Sequence, residues 1–293
     1  MEQADSTGRN FNTISPSARS LMLMKGHTNI PYARETAELL AYPEQYIPDF
    51  ENRDVSFWAR TVHFENRYWC IDTLLDELPV SNILELSSGF SFRSMHTIRK
   101  RKVYYIDTDL PELIRSKKQL MEKIRSEDTE IKGTLELLPL NALDEETFRE
   151  IVSYFPAGEL AIVNEGLLMY LDMDEKEKLC KIIHSILVER GGYWITGDIY
   201  RKNMAERTGI RVKRHDQDFF ERHNIEENKF GSFDDAREFF TRMGFMVEKE
   251  EFTAGSRLSS LPYLMRSVDP DQLSKFGSAG KIQATWRLKP VGI

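Results

Sequence analysis

Residues 83–91 read Ile83-Leu84-Glu85-Leu86-Ser87-Ser88-Gly89-Phe90-Ser91, a short apolar run that breaks into a turn of small side chains. A run of this length, bounded by turn residues, is the pattern of a strand buried in a sheet. The small turn lets a ligand approach bare backbone at the carboxyl end of the strand, where open α/β sheets bind small molecules. With Gly89 as the one glycine of the turn, the same residues also fit an ordinary strand-to-helix connection. About 20 residues on, Val103-Tyr104-Tyr105-Ile106 ends in Asp107-Thr108-Asp109-Leu110-Pro111-Glu112. A carboxylate at that place can accept two hydrogen bonds from a vicinal diol. Asp109 and Glu112 also have the spacing of a helix-capping pair. In the third stretch, Leu160-Ala161-Ile162-Val163-Asn164 breaks at Glu165-Gly166 into Leu167-Leu168-Met169-Tyr170-Leu171. A strand-end carboxylate at Glu165 would face the same crevice and accept from a ligand ammonium; a plain surface glutamate is the alternative.

Outward from these stretches, seven apolar runs alternate with helical segments, at 83–86, 103–106, 135–140, 160–163, 193–196, 245–247 and 282–288. Such alternation signals an α/β fold. Leu179, Ile182, Ile183 and Ile186 form one apolar helical stripe. Ala236, Phe239, Phe240 and Met243 form another, with Gly244 as its stop. Pro262, Pro270 and Gly277 argue against a long helix between the last two runs, which are expected to pair antiparallel at one end of the sheet. Before the sheet, Ser15-Pro16 caps a helix running to about Lys25, and Trp58, Phe64, Tyr68, Trp69 and Leu74 repeat helically over 56–78. The expected organisation is a mobile start over 1–12, a helical cap over 13–81 and a core over 82–293. The charged insertion at 201–230 is read as a lid or binding loop.

The chain has 293 residues, 41% hydrophobic and 30% charged, a composition suited to a globular protein. Forty Lys and Arg against 47 Asp and Glu leave a net charge of -7, so a nucleic-acid partner is not expected. Two cysteines 110 positions apart, Cys70 and Cys180, exclude a disulfide scaffold and a four-thiolate zinc site, and fit a reducing cytoplasm. No apolar run approaches the roughly 18 residues of a membrane span, so no membrane partner is expected either. The chain contains no Gly-x-Gly, Gly-x-Ser-x-Gly, P-loop or His-Glu-x-x-His motif. Those absences argue against a nicotinamide dehydrogenase, a serine hydrolase of the elbow type, a P-loop enzyme and a metalloprotease-like metal site.

Taken in order, Glu-Leu-Ser-Ser-Gly with Arg93, Thr-Asp-Leu-Pro-Glu-Leu-Ile with Lys117, and Asn-Glu-Gly-Leu-Leu-Met-Tyr-Leu resemble the leucine carboxyl methyltransferase family. That family includes protein phosphatase carboxyl methyltransferases and bacterial polyketide O-methyltransferases of the tetracenomycin type. The resemblance spans roughly residues 13–200. It implies a Rossmann-like, seven-stranded class I methyltransferase sheet with helices on both faces, S-adenosyl-L-methionine as cofactor, and O-methylation of an acceptor that in the family is a protein carboxyl terminus or a small aromatic metabolite. A small-molecule acceptor is expected because nothing in the sequence suggests a broad docking surface, and the basic residues Arg201, Lys202, Arg207, Arg211, Lys213 and Arg214 of the insertion fit an acidic one or a solvated helix face.

By the same resemblance, Lys25 and Arg60 hold the cofactor carboxylate, Gly89 lies beneath its amino-acid moiety, and Asp109 or Asp107 takes the ribose. Glu165 is the acidic residue at the fourth strand end. Glu85 and Ser87 belong to the first motif, where Ser87-Ser88 replaces a commoner Gly-Ala pair. Asn141-Ala142 stands where Asp-Leu is usual near adenine. His63, Tyr32, Tyr200 and His215 are the available bases, and none is assigned. A non-catalytic protein with a degenerate cofactor pocket, and a protein carboxyl methyltransferase, are the rival readings. An arginine fork orients a carboxylate better than a lysine point charge. Arg60→Ala is therefore expected to weaken S-adenosylhomocysteine (SAH) binding more than Lys25→Ala in calorimetric titration; the reverse order would reassign the clamp.

Overall fold

The computed structural model describes residues 15–124, 130–203 and 214–291. Three helices precede the sheet: α1 (Ser15–Lys25), α2 (Ala33–Ala41) and α3 (Val55–Asp76). The N-terminal stretch expected to be mobile lies outside the described residues. Then β1 (Asn82–Leu86), α4 (Arg93–Lys100), β2 (Tyr104–Asp109), α5 (Pro111–Ile124), β3 (Thr134–Pro139), α6 (Glu145–Ser153) and β4 (Leu160–Asn164) alternate. After them come α7 (Met173–Arg190), β5 (Gly192–Tyr200), α8 (Arg214–Arg222), α9 (Phe233–Arg242) and β6 (Phe245–Glu251). Helices α10 (Leu261–Ser267) and α11 (Pro270–Ala279) lead into the last strand, β7 (Gln283–Pro290).

The seven strands form one sheet in the order β3-β2-β1-β4-β5-β7-β6. Strands β1 to β5 pair in parallel, and β7 runs antiparallel between β5 and β6. Central parallel strands are covered on both faces, which is why β1 and β4 are buried along their whole length and read as apolar runs without alternation. Leu84 and Leu86 pack with the α6, α7 and α9 side, joining the two stripes expected from the sequence. Ile83 points to the other face, among Ile71, Leu74 and Leu75 of α3 and Ile98 of α4. The order reverses between β1 and β4, so a crevice opens there beyond the carboxyl ends of the strands. No helix among the described residues is long and apolar enough to cross a membrane.

Between β6 and β7 there is no long helix, as the prolines argued; two short helices, α10 and α11, stand there instead. Pro262 and Pro270 stand in the first turns of α10 and α11, where a missing N–H removes no helical hydrogen bond. Asp269 and Gln272 complete a capping box at the start of α11. Helix α3 holds the preceding segment: the buried Glu65 carboxylate accepts the N–H and hydroxyl of both Ser259 and Ser260.

Gly197 in β5 leaves room for the stem of an arginine on α3, since a Cβ there would lie 2.9 Å from Ile71 Cδ1 and 3.0 Å from Arg67 Cγ. Gly197→Ala should cost about 1–3 kcal/mol by overpacking. Gly277→Ala, inside α11 with nothing within 4 Å of the new Cβ, should stabilise by about 0.5–1 kcal/mol. Urea denaturation of the two variants checks both signs.

Candidate functional site

A cavity of about 250 Å³ opens at the carboxyl ends of β1 to β4. Each strand delivers residues to it: Ser87, Ser88 and Gly89 follow β1, Asp109 ends β2, Asn141 and Ala142 follow β3, and Glu165 and Gly166 follow β4. Lys25 from α1 and Arg60, Phe64 and Arg67 from α3 close it from the helical side. Eight of the ten residues singled out from the sequence therefore share one cavity: Lys25, Arg60, Ser87, Gly89, Asp109, Asn141, Ala142 and Glu165.

The first turn is held by backbone that most residues avoid. Ser87 and Gly89 adopt φ of 50° and 57°. A Cβ on Gly89 would touch Ala18 Cβ at 3.7 Å, so α1 lies directly over this turn. The Gly89 N–H donates to Asp109 Oδ2 at 2.8 Å, and the Leu110 N–H donates to Oδ1 at 2.7 Å. Asp109 thus accepts from two amides, and does not cap α5 through Glu112 as the spacing allowed. Burial raises its pKa, against the pull of those two amides.

The second turn carries the strongest charge concentration. Glu165 Oε1 accepts from Lys25 Nζ at 2.5 Å and from Arg67 Nη2 at 3.2 Å, while Arg93 Nη2 reaches Oε2 at 2.7 Å. Burial alone would raise the pKa of this carboxyl, but the three cations outweigh it and bring the value down to about 2. Glu165 is therefore ionised at neutral pH. The turn itself is aimed by Asp198 of β5, whose carboxylate accepts the N–H groups of Gly166, Leu167 and Leu168 at 2.6–3.1 Å and the Asn164 amide at 2.7 Å.

Arg67 is the residue the sequence reading missed. Its Nη1 donates to the Tyr200 hydroxyl at 2.8 Å and lies 3.7 Å from Asp198. Because a guanidinium only donates, the Tyr200 proton is left for His63 Nε2, 2.8 Å away. Burial and the nearby Arg67 charge push the His63 pKa down to about 3, so this imidazole is neutral. Arg67 follows Arg60 by seven residues, two helical turns along one face, and that spacing was the available signal.

Glu85 and Asp107 lie behind the cavity, outside its lining. Glu85 accepts from Arg93 Nε at 3.3 Å and from the Tyr105 hydroxyl at 2.6 Å. Asp107 pairs with Lys117 at 2.7 Å and accepts from the Ser94 hydroxyl at 2.7 Å. Of the two aspartates ending β2, the structure brings Asp109 to the cavity and turns Asp107 to the interior.

The remaining wall is apolar and aromatic: Leu21, Met169, Tyr170 and, from the 201–230 segment, Phe219, Phe220 and Ile225. The insertion thus reaches the cavity through α8 and the turn after it. Of its basic residues, Lys202 pairs with Glu227 at 3.2 Å and Arg201 lies over the Phe233 ring. Arg207, Arg211 and Lys213, like the side chains of Arg214 and His215, lie outside the described residues. Asn141 accepts the Leu143 N–H at 3.1 Å. Tyr32 packs with Arg99 and, like His63 and Tyr200, is not part of the lining.

A protein of the duf574 family from Streptomyces avermitilis has a similar structure, with a TM-score of 0.53 over 94% of this chain and 97% of its own, at 14% identity. The fold is the class I methyltransferase fold. Two further likenesses are weaker. The cyclopropane synthase of Mycobacterium tuberculosis matches over 75% of this chain and 82% of its own, at 12% identity and a TM-score of 0.47. Magnesium protoporphyrin IX methyltransferase from Synechocystis, with bound SAH, matches over 89% and 95%, at 8% identity and 0.46. No family model and no curated protein matches this sequence.

Glu165→Gln should cost about 3–5 kcal/mol near neutral pH, because it strands buried cations. The wild-type advantage should be complete above the ordinary carboxyl value of 4.5 and shrink as pH falls towards about 2, where Glu165 protonates in the folded protein. Denaturant unfolding of both proteins across that range measures it.

Proposed function

We propose that this chain is an S-adenosylmethionine-dependent O-methyltransferase acting on the carboxylate or hydroxyl of a small acidic or aromatic molecule. The observation that carries this reading is the convergence of an ionised Glu165, the Asp109 carboxylate, the Gly89 turn and the cations Arg60 and Lys25 on one cavity. These groups complement an amino acid joined to a nucleoside: Glu165 takes the ammonium, Arg60 and Lys25 the carboxylate, and Asp109 the ribose diol. Asn141 and Ala142 lie on the adenine side. Glu85 and Asp107 act from behind, holding Arg93 and Lys117 in register with the turns.

When bound, the cofactor supplies an electrophilic methyl group on a sulfonium. The work left to the chain is alignment of an acceptor oxygen and exclusion of water. Phe64, Met169, Tyr170, Phe219, Phe220 and Ile225 provide a dry wall suited to a flat apolar body. No histidine is among the described lining residues, and His63 Nε2 is occupied by Tyr200. That arrangement favours an acceptor whose oxygen is already anionic, since a hydroxyl would need a base.

SAH should raise the melting temperature, because a ligand held only by the folded state at a hundredfold excess over Kd adds about 2.7 kcal/mol. Asp109→Ala should weaken that binding at least tenfold, and radiolabelled methyl should pass to members of a panel of aromatic acids. The absence of any shift at millimolar SAH with folded protein would overturn the cofactor reading. A shift without transfer to any acid or phenol would favour a binding protein.

A further inference from the structure

Three cations surround Glu165, and they are not equivalent. Arg67 is also held by the Tyr200 hydroxyl at 2.8 Å and by Asp198 at 3.7 Å. Arg93 is also held by Asp72, by Glu85 at 3.3 Å and by the Tyr68 carbonyl at 3.0 Å, with its guanidinium 3.9 Å above the Tyr68 ring. The Lys25 ammonium has Glu165 as its only ion-pair or hydrogen-bond partner among the described residues, with the Tyr68 ring 5.5 Å away. Its side chain is 3% exposed, and it ends α1, the helix that also lies over the Gly89 turn. Two guanidiniums are thus fixed structural charges, and one ammonium depends on Glu165 alone.

An ammonium arriving from a ligand would be a fourth cation on this carboxylate. Lys25 is the group that can leave, since its stem is flexible and no second partner pins it. Leaving is costly unless a new anion waits, because a buried ammonium without a counter-ion is strongly disfavoured. We propose that Lys25 makes the site selective for a complete amino-acid end: the ligand ammonium replaces Lys25 on Glu165, and the ligand carboxylate receives the displaced Lys25 beside Arg60. The proposal rests on the cofactor reading above and adds to it a charge exchange with a sign. A nucleoside ligand bearing an ammonium and no carboxylate would strand Lys25 and be rejected. A nucleoside bearing neither charge would leave the Lys25–Glu165 pair in place.

Three ligands without a sulfonium separate these cases: SAH, its decarboxylated 3-aminopropyl analogue, and methylthioadenosine. Calorimetric titration of the wild-type chain should give at least a hundredfold preference for SAH over the aminopropyl analogue. In Lys25→Met the aminopropyl analogue should bind at least tenfold tighter than it does to wild type. SAH should bind more weakly there, and methylthioadenosine should change less than threefold. Lys25→Arg, which retains the charge, should keep the rejection of the analogue. A wild-type preference below tenfold overturns the exchange, as does an analogue affinity that is unchanged or lower in folded Lys25→Met while SAH and methylthioadenosine still bind wild type. If neither SAH nor methylthioadenosine binds wild type, the cofactor reading itself falls, and the exchange with it.

Discussion

The Glu165 carboxylate sits in a place where an isolated charge could not be kept. Removing a carboxylate from water costs several kcal/mol even after the protein relaxes, and two arginines and a lysine share that burden here. Those partners come from three separate parts of the chain, α1, α3 and α4, so the ion cluster can exist only when α1 and α3 have packed against the sheet. Buried charge clusters are weak sources of net stability but strong constraints on geometry, because any misplacement leaves an unpaired ion. Helices α1 and α3 are consequently tied to the carboxyl end of β4 by electrostatics as well as by packing.

The sheet supplies the other half of the constraint. Reversal of strand order between β1 and β4 opens the crevice, and each adjoining strand ends in a turn that displays one chemical type. Backbone amides do much of the orienting: Gly89 and Leu110 fix Asp109, and three successive N–H groups fix the Glu165 turn on Asp198. Acidic groups face the cavity at two strand ends, while the basic groups lining it arrive from α1 and α3. Such a division suits a ligand whose charges are spread along its length.

Much of this arrangement was readable from residues 83–171, because parallel buried strands leave uninterrupted apolar runs and their terminal turns carry the polar residues. The α1 boundary, the stripes of α7 and α9 and the antiparallel end of the sheet were legible for the same reason: each depends on local periodicity or on a cap. Helices α10 and α11 were not, since proline reads as a breaker unless its place in the first turn is known. Arg67 and Asp198 were hidden for a different reason. Nothing in a helix or strand pattern distinguishes a charged residue aimed inward from one in water, and their partners lie 98 and 32 positions away in the chain. The separation of Asp107 from Asp109 was equally beyond the sequence, being set by their partners: Lys117 and Ser94 hold Asp107 inside, while the Gly89 and Leu110 amides hold Asp109 at the strand end.

The most direct test of the account is a crystal structure of the chain grown with SAH. The account predicts ligand density in the cavity between α1 and the β1–β4 strand ends, with the amino-acid end at Glu165 and the ribose hydroxyls at Asp109. Density elsewhere on the molecule, or in this cavity with neither carboxylate in contact, would contradict it.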